Sequence, residues 1–133
     1  MLYHLAQNYQ KGPLQLSEIA QREDISEKYL GQIVLLLRSG GLLASVRGNQ
    51  GGYLLPRPPE AITVLQVVGC LEGDFLGFPD GLVDGAGAAE GLVVTNEVWR
   101  RLRMTVEATL GEISLRDLAS FASHGEVFLN YVI

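Results

Sequence analysis

Cysteine is almost absent from this sequence: Cys70 is the only one in 133 residues, and histidine occurs only at His4 and His124. A lone thiol cannot close an intramolecular disulfide. One cysteine and two distant histidines also fall short of the three or four soft ligands that a structural zinc or a thiolate-held iron–sulfur cluster takes. No apolar run approaches the ~18 residues of a membrane span, and Met1-Leu2-Tyr3-His4 has neither the basic nor the apolar stretch of a secretory leader. Catalytic signatures are missing too: there is no Gly-x-Ser-x-Gly elbow and no Gly-x-x-x-x-Gly-Lys phosphate loop. These absences predict a cytoplasmic, non-enzymatic protein with no resident metal or cofactor and no membrane partner.

With 47% hydrophobic residues, the chain has enough apolar material for a core. The overall charge is −5, but it is unevenly spread. Residues 1–59 hold six cations (Lys11, Arg22, Lys28, Arg38, Arg47, Arg57) against four anions, whereas residues 60–133 hold four cations against eleven anions. An N-terminal part able to approach phosphates is therefore joined to an acidic part with another task.

Leu2, Leu5, Ala6 and Tyr9 follow helical spacing, and Gly12-Pro13 ends that helix. Ser17 is the expected N-cap of a second helix through Glu18, Ile19, Ala20 and Arg22. Ser26 is the expected N-cap of a third, running from Glu27 to Arg38. Two short helices so close in sequence form a helix-turn-helix pattern. In it Ala20 is small where the helices cross, Ile25 plugs the turn, and Leu30, Ile33 and Leu37 form the buried stripe of the third helix. Lys28, Tyr29, Gln32 and, one turn on, Leu35 or Leu36 are left on its exposed face.

After Gly40-Gly41, residues Leu42 to Arg47 read as a strand, Gly48 to Gly52 as a tight turn, and Tyr53-Leu54-Leu55 as the returning strand before Pro56. The glycine-rich stretch joins two strands and so lacks the strand-to-helix setting of a phosphate loop. Helix, helix-turn-helix and two-stranded wing, in that order, predict a winged-helix DNA-binding domain. Its third helix enters the major groove, and Arg47 at the wing's edge reaches a narrow, A·T-rich minor groove.

The run Ile25-Ser26-Glu27-Lys28-Tyr29-Leu30-Gly31-Gln32-Ile33, followed by Leu37-Arg38, Gly41-Leu42, Ser45-Val46-Arg47-Gly48 and Gly51-Gly52-Tyr53-Leu54, resembles the Rrf2-type bacterial transcription regulators (IscR/NsrR/CymR-like). Ile62-Thr63, Leu71-Glu72-Gly73, Trp99, Ile113-Ser114-Leu115 and Asp117-Leu118 carry the likeness to about residue 120. The resemblance implies a homodimer that binds a palindromic operator in double-stranded DNA and represses. It gives major-groove and phosphate contacts to Ser26, Tyr29 and Gln32 and the minor-groove contact to Arg47. With Lys28, Arg38, Gly48, Gly51 and Gly52, these make up the candidate DNA-binding set. Lys28 and Gly31 depart from the family pattern, so the family's operators do not transfer. Members that hold an iron–sulfur cluster keep cysteines between the fourth helix and the long helix that follows. The stretch from Gly73 to Leu92 has none, Val93 and Asn96 stand nearest the last cysteine and the histidine, and a clusterless member is expected. The family also carries about a dozen further residues ahead of the position of Met1, the first half of its opening helix, which implies either a misassigned start or a naturally short protein lacking some DNA and dimer contacts.

Asp80 and Asp84 lack calcium-loop spacing, and residues 73–92 read as a flexible Gly/Asp-rich loop. Cys70, after Val67-Val68-Gly69 on the apolar fourth helix, reads as a small core residue. From Val94 to Ile113 the residues Trp99, Leu102, Val106, Leu110 and Ile113 recur at steps of three and four, forming an amphipathic helix expected to cross its twin in the dimer. Ser114 should cap a last helix, Leu115 to Phe121, and Val127 to Ile133 should cover a core edge. The expected architecture is mainly α with a small β-wing: a winged helix-turn-helix domain over 1–72, the loop over 73–92, and the dimerisation helix with its C-terminal segment over 93–133. An effector protein or a small ligand is a further possible partner. The alternative function is a winged-helix interaction module that has lost DNA binding and docks through its acidic half.

Overall fold

Local caps set most helix boundaries in this chain, and backbone bonds between distant segments set the rest. A computed structural model describes residues 1–73 and 90–122. The first helix, α1 (Leu2–Gln7), is short and stops before Tyr9. Gln10 then adopts a left-handed backbone (φ 66°), and the Asn8 side-chain amide donates to the Gly12 carbonyl at 2.8 Å. Tyr9 still packs on the core from outside the helix.

The second helix, α2 (Leu16–Glu23), begins earlier than Ser17 would have it. Its N-cap is Gln15, because Leu14 is held extended by a two-way backbone bridge to Tyr53: Leu14 N–H donates to the Tyr53 carbonyl (2.9 Å), and Tyr53 N–H donates back (2.8 Å). Helical backbone can start only beyond that tether. Asp24 ends α2 in the left-handed region, and Ile25 N–H closes onto the Ala20 carbonyl at 3.1 Å. This backbone bond closes the turn. Ile25 is not the expected plug but is 36% exposed, beside Ser17, Gln21 and Glu27 in an open groove. Ala20 is buried at the crossing, as expected.

The third helix, α3 (Glu27–Ser39), is capped by Ser26, whose Oγ accepts from Tyr29 N–H at 3.1 Å. Its fully buried stripe is Leu30, Val34 and Leu37. Ile33 is only partly buried, because α3 is packed from two sides, by α2 and by the later helix α4, and this rotates the buried arc onto Val34. The wing is an antiparallel pair, β1 (Ala44–Val46) and β2 (Gly52–Leu54), with Ala44 opposite Leu54, Ser45 opposite Tyr53 and Val46 opposite Gly52. β1 is shorter than the expected run from Leu42 to Arg47, and β2 lies one residue earlier than the expected Tyr53–Leu55. Leu42, Leu43 and Leu55 leave the ladder to enter the core instead.

A 3-10 turn (Pro59–Ala61) leads to α4 (Val64–Glu72), which opens with a reciprocal box: Thr63 Oγ1 accepts from Gln66 N–H, and the Gln66 side chain accepts from Thr63 N–H. The long helix, α5 (Glu90–Glu112), starts four residues before Val94 and ends one residue before the expected Ile113. Its C-terminal end is stitched to the start of α4: Val64 N–H donates to Ile113 (2.8 Å) and Leu115 N–H donates to Ile62 (2.9 Å). Ser114 caps the helical segment 115–122 as expected, its Oγ accepting from Asp117 N–H while its own N–H and hydroxyl donate to Asp117 Oδ2. The fold is thus mainly α with a small wing and one long helix. The loop expected between α4 and α5, with Asp80 and Asp84, and the tail over 127–133 lie outside the described residues.

Candidate nucleic-acid interface

α3 presents one face to its neighbours and the other to solvent, and the candidate contacts divide accordingly. Lys28, Tyr29 and Gln32 are exposed on the solvent side, Tyr29 at 58%. Ser26 stands at the helix N-terminus with its oxygen taken by the cap, which leaves its hydroxyl hydrogen as a donor. Arg38 is exposed in the last turn of α3, but at 3.6 residues per turn it lies about 80° round the helix from Lys28. It therefore belongs to the flank of the face and not to its centre.

Arg47 is exposed directly after β1, where the wing turns. Among the described residues, Lys28, Arg38 and Arg47 have no carboxylate partner, unlike Arg22 with Glu18 or Arg116 with Glu60. The cations of the recognition helix and wing are thus not neutralised internally, which suits a phosphate surface. The carboxylates whose protonation the fold alters lie elsewhere. Glu97 on α5 is held down to about 2, first by Arg100 and then by Arg101. Asp117 is lowered by the Ser114 cap, and Glu60 by its own backbone N–H and then by Arg116.

The wing glycines have reasons internal to the chain. A side-chain carbon on Gly51 would come within 2.1 Å of the Val46 carbonyl oxygen, and one on Gly52 within 2.3 Å of the Leu14 carbonyl oxygen. These two glycines let the hairpin close and let α2's leading segment lie against β2. Gly48 sits in the turn, its carbonyl accepting from Gly51 N–H at 2.9 Å. The sequence reading missed the tether from α2 to the wing tip: Gln15 reaches the Asn49 carbonyl at 3.5 Å, and Leu14 extends the hairpin by one bridge. Its only local signal is Gly12-Pro13, which forces the chain out of helix just before Leu14.

The residues expected at a twin-helix contact fall in two groups. Trp99 and Leu102 are exposed at 42% and 44%, alongside Val94, Val98 and Met104. Val106 and Leu110 are half-buried in the part of α5 that lies near α4, where Gly111 faces Leu65, and Ile113, just past the end of α5, is half-buried too. Cys70 is half-buried on α4, its Sγ–H donating to the Leu36 carbonyl at 3.0 Å and seated where a side chain on Gly40 would collide with it.

With this geometry in hand, comparison with known proteins is specific. The sequence profile of Rrf2, described as an iron-dependent transcriptional regulator, matches residues 1–120. The chain is 35% identical to the HTH-type transcriptional regulator CymR of Bacillus subtilis, over 99% of this chain and 91% of that protein. It is also 35% identical to the HTH-type regulator IscR of Xenorhabdus nematophila, over 86% of this chain and 69% of that protein. The solved structure of CymR, the global cysteine regulator of B. subtilis, superposes with a TM-score of 0.75 at 38% identity, covering 90% of this chain and 88% of that one. Cys70 is the sole cysteine and is turned toward α3, and among the described residues no three His, Cys, Asp or Glu side chains converge.

Proposed function

The chain belongs to the Rrf2 family of DNA-binding transcriptional regulators, and on that premise we propose that it represses transcription as a homodimer on a palindromic operator, without an iron–sulfur cluster. The observation that carries this reading is the solvent face of α3, with Lys28, Tyr29 and Gln32 exposed, and Arg47 exposed on the wing. Phosphate contacts from Ser26, Lys28 and Arg38 supply affinity and register. Tyr29, Gln32 and Lys28 meet base edges in the major groove, and Arg47 enters the flanking minor groove. Gly48, Gly51 and Gly52 act by shaping the wing that carries Arg47. The exposed stretch of α5 with Trp99 and Leu102 crosses the same stretch of a second copy, continued by Val106, Leu110 and Ile113. The two-fold axis so made sets two recognition helices about one DNA turn apart, and hence a palindromic site. The donor count supports the clusterless reading: one thiol per chain falls short of the cysteines such a centre takes.

Fluorescence anisotropy of the full chain against its own upstream DNA and a scrambled control, from low to physiological salt, tests this. Specific binding that falls steeply with salt is the expected result, since counterion release scales with phosphate contacts. The acidic balance of residues 60–133 favours one other reading, a docking module that has lost DNA binding. That reading requires no salt-sensitive binding to either DNA.

A further inference from the structure

Two large apolar side chains sit on the solvent face of α3 with no partner in the core. Leu35 is 65% exposed and Leu36 46%, while the buried arc of the same helix is already supplied by Leu30, Val34 and Leu37. Leu35 and Leu36 follow Lys28 by seven and eight residues and Gln32 by three and four, so they continue the same face toward the C-terminus. At 1.5 Å per residue they lie roughly 10 Å along the axis from Lys28, a distance of about three base steps.

An apolar pair on an exposed helix face fits either a protein groove or the one apolar group of the major groove, the thymine C5-methyl. The neighbours decide between them. Lys28 precedes the pair and Arg38 follows it, and neither has a carboxylate partner among the described residues. A partner covering the leucines must therefore also meet the positive charge of Lys28 on their face and of Arg38 on its flank, beside Leu35, which a duplex neutralises with its phosphates. We propose that Leu35 and Leu36 read thymine methyl groups in each operator half-site, about three base pairs from the position met by Lys28. The inference rests on the DNA-binding reading above and adds to it the base that the second half of α3 selects.

The test uses an operator selected from random DNA by the full wild-type chain, in which each thymine is replaced in turn by deoxyuridine. That exchange removes a methyl and nothing else. Loss of one buried methyl weakens binding about fourfold, and this is expected at one or two positions per half-site. At those positions Leu35→Ala or Leu36→Ala should bind thymine and deoxyuridine equally. Both side chains are exposed, and thermal melting checks that the variants fold; the deoxyuridine series on the wild-type chain stands without them. Specific binding that is indifferent to every deoxyuridine overturns the proposal while leaving the regulator reading intact, and assigns the leucines to a protein partner. A thymine preference that survives unchanged in both folded variants overturns it equally. If selection returns no sequence, the DNA-binding reading fails and the proposal falls with it.

Discussion

Among the described residues, every fully buried apolar side chain except Leu115 lies between Leu5 and Ile62, whereas α4 and α5 bury none to that degree. The winged part closes a core from α1, α2, α3 and the residues flanking the hairpin. It uses Ile19, Leu30, Leu37 and Ile62, all almost inaccessible to water. The long helix has 23 residues but leaves Val94, Val98, Trp99, Leu102 and Met104 in solvent. It is held by its half-buried C-terminal part against α4, by local ion pairs (Arg100 and Arg101 on Glu97, Arg103 on Glu107) and by the backbone stitch at its C-terminal end. Exposed pairs of this kind add little stability. Among the described residues, then, one region buries its apolar side chains within a single copy, while the other leaves a row of them exposed. This asymmetry supports reading α5 as the site of self-association.

The largest effect should come from breaking the complete region. Leu30→Ala removes most of a fully buried side chain and should cost about 2–5 kcal/mol, read as a lower urea midpoint for loss of helical circular dichroism. Leu102→Ala in the unfinished region should cost far less under conditions where the chain is monomeric. Comparable losses in the two variants would erase the contrast. Next in size is the paired change Trp99→Ala and Leu102→Ala, which should move the sedimentation mass from dimer to monomer while the winged part stays folded. Trp99 is the chain's only tryptophan, so its emission reports α5 directly. Dilution of the wild type should shift that emission to longer wavelength as the helix meets water.

On the winged side, Arg47→Ala should weaken specific DNA binding by roughly 1–3 kcal/mol and relax the preference for A·T pairs beside the core site, with no change in sedimentation mass. Anisotropy on operators with swapped flanks measures both effects. Thr63→Ala, at the joint between the regions, removes the α4 cap and should lower stability by about 1 kcal/mol in urea melts. The smallest effect is on α5 itself. The folded pKa of Glu97, depressed from 4.5 to about 2 by Arg100 and Arg101, means its contribution is present above about pH 4.5 and lost as pH falls toward 2. Glu97→Gln should flatten that part of the helicity–pH curve, and because the pair is exposed, added salt should flatten it too.

Much of this architecture is legible residue by residue. Ser26 and Ser114 cap the helices they were expected to cap, since a hydroxyl facing the free N–H groups of a first turn is satisfied within three residues of itself. The exposed face with Lys28, Tyr29 and Gln32 follows from helical periodicity, and the hairpin follows from its glycine-rich turn. The site was less legible where function and folding share a residue. The wing motif marks Gly51 and Gly52 as candidate contacts, and only the hairpin's closure reveals that Val46 and Leu14 carbonyls occupy the space a side chain would need.

What the sequence by itself determined is local: helix caps and stops, the order of helices and wing, the scarcity of thiols, and the split between a cationic first part and an acidic second. These depend on bonds and charges within a few residues, so a pattern of letters carries them. What only the tertiary structure decided are pairings between segments far apart in the chain. Leu14 on Tyr53 moves the N-cap of α2 from Ser17 to Gln15, and two-sided packing makes Val34 the buried residue and leaves Ile33 at the edge. His4 meets Glu23 across α1 and α2, Cys70 meets the Leu36 carbonyl, and Thr63 pairs with Ser114 to fasten the long helix to the winged part. Each of these depends on where a second segment lies in space, which local periodicity does not encode.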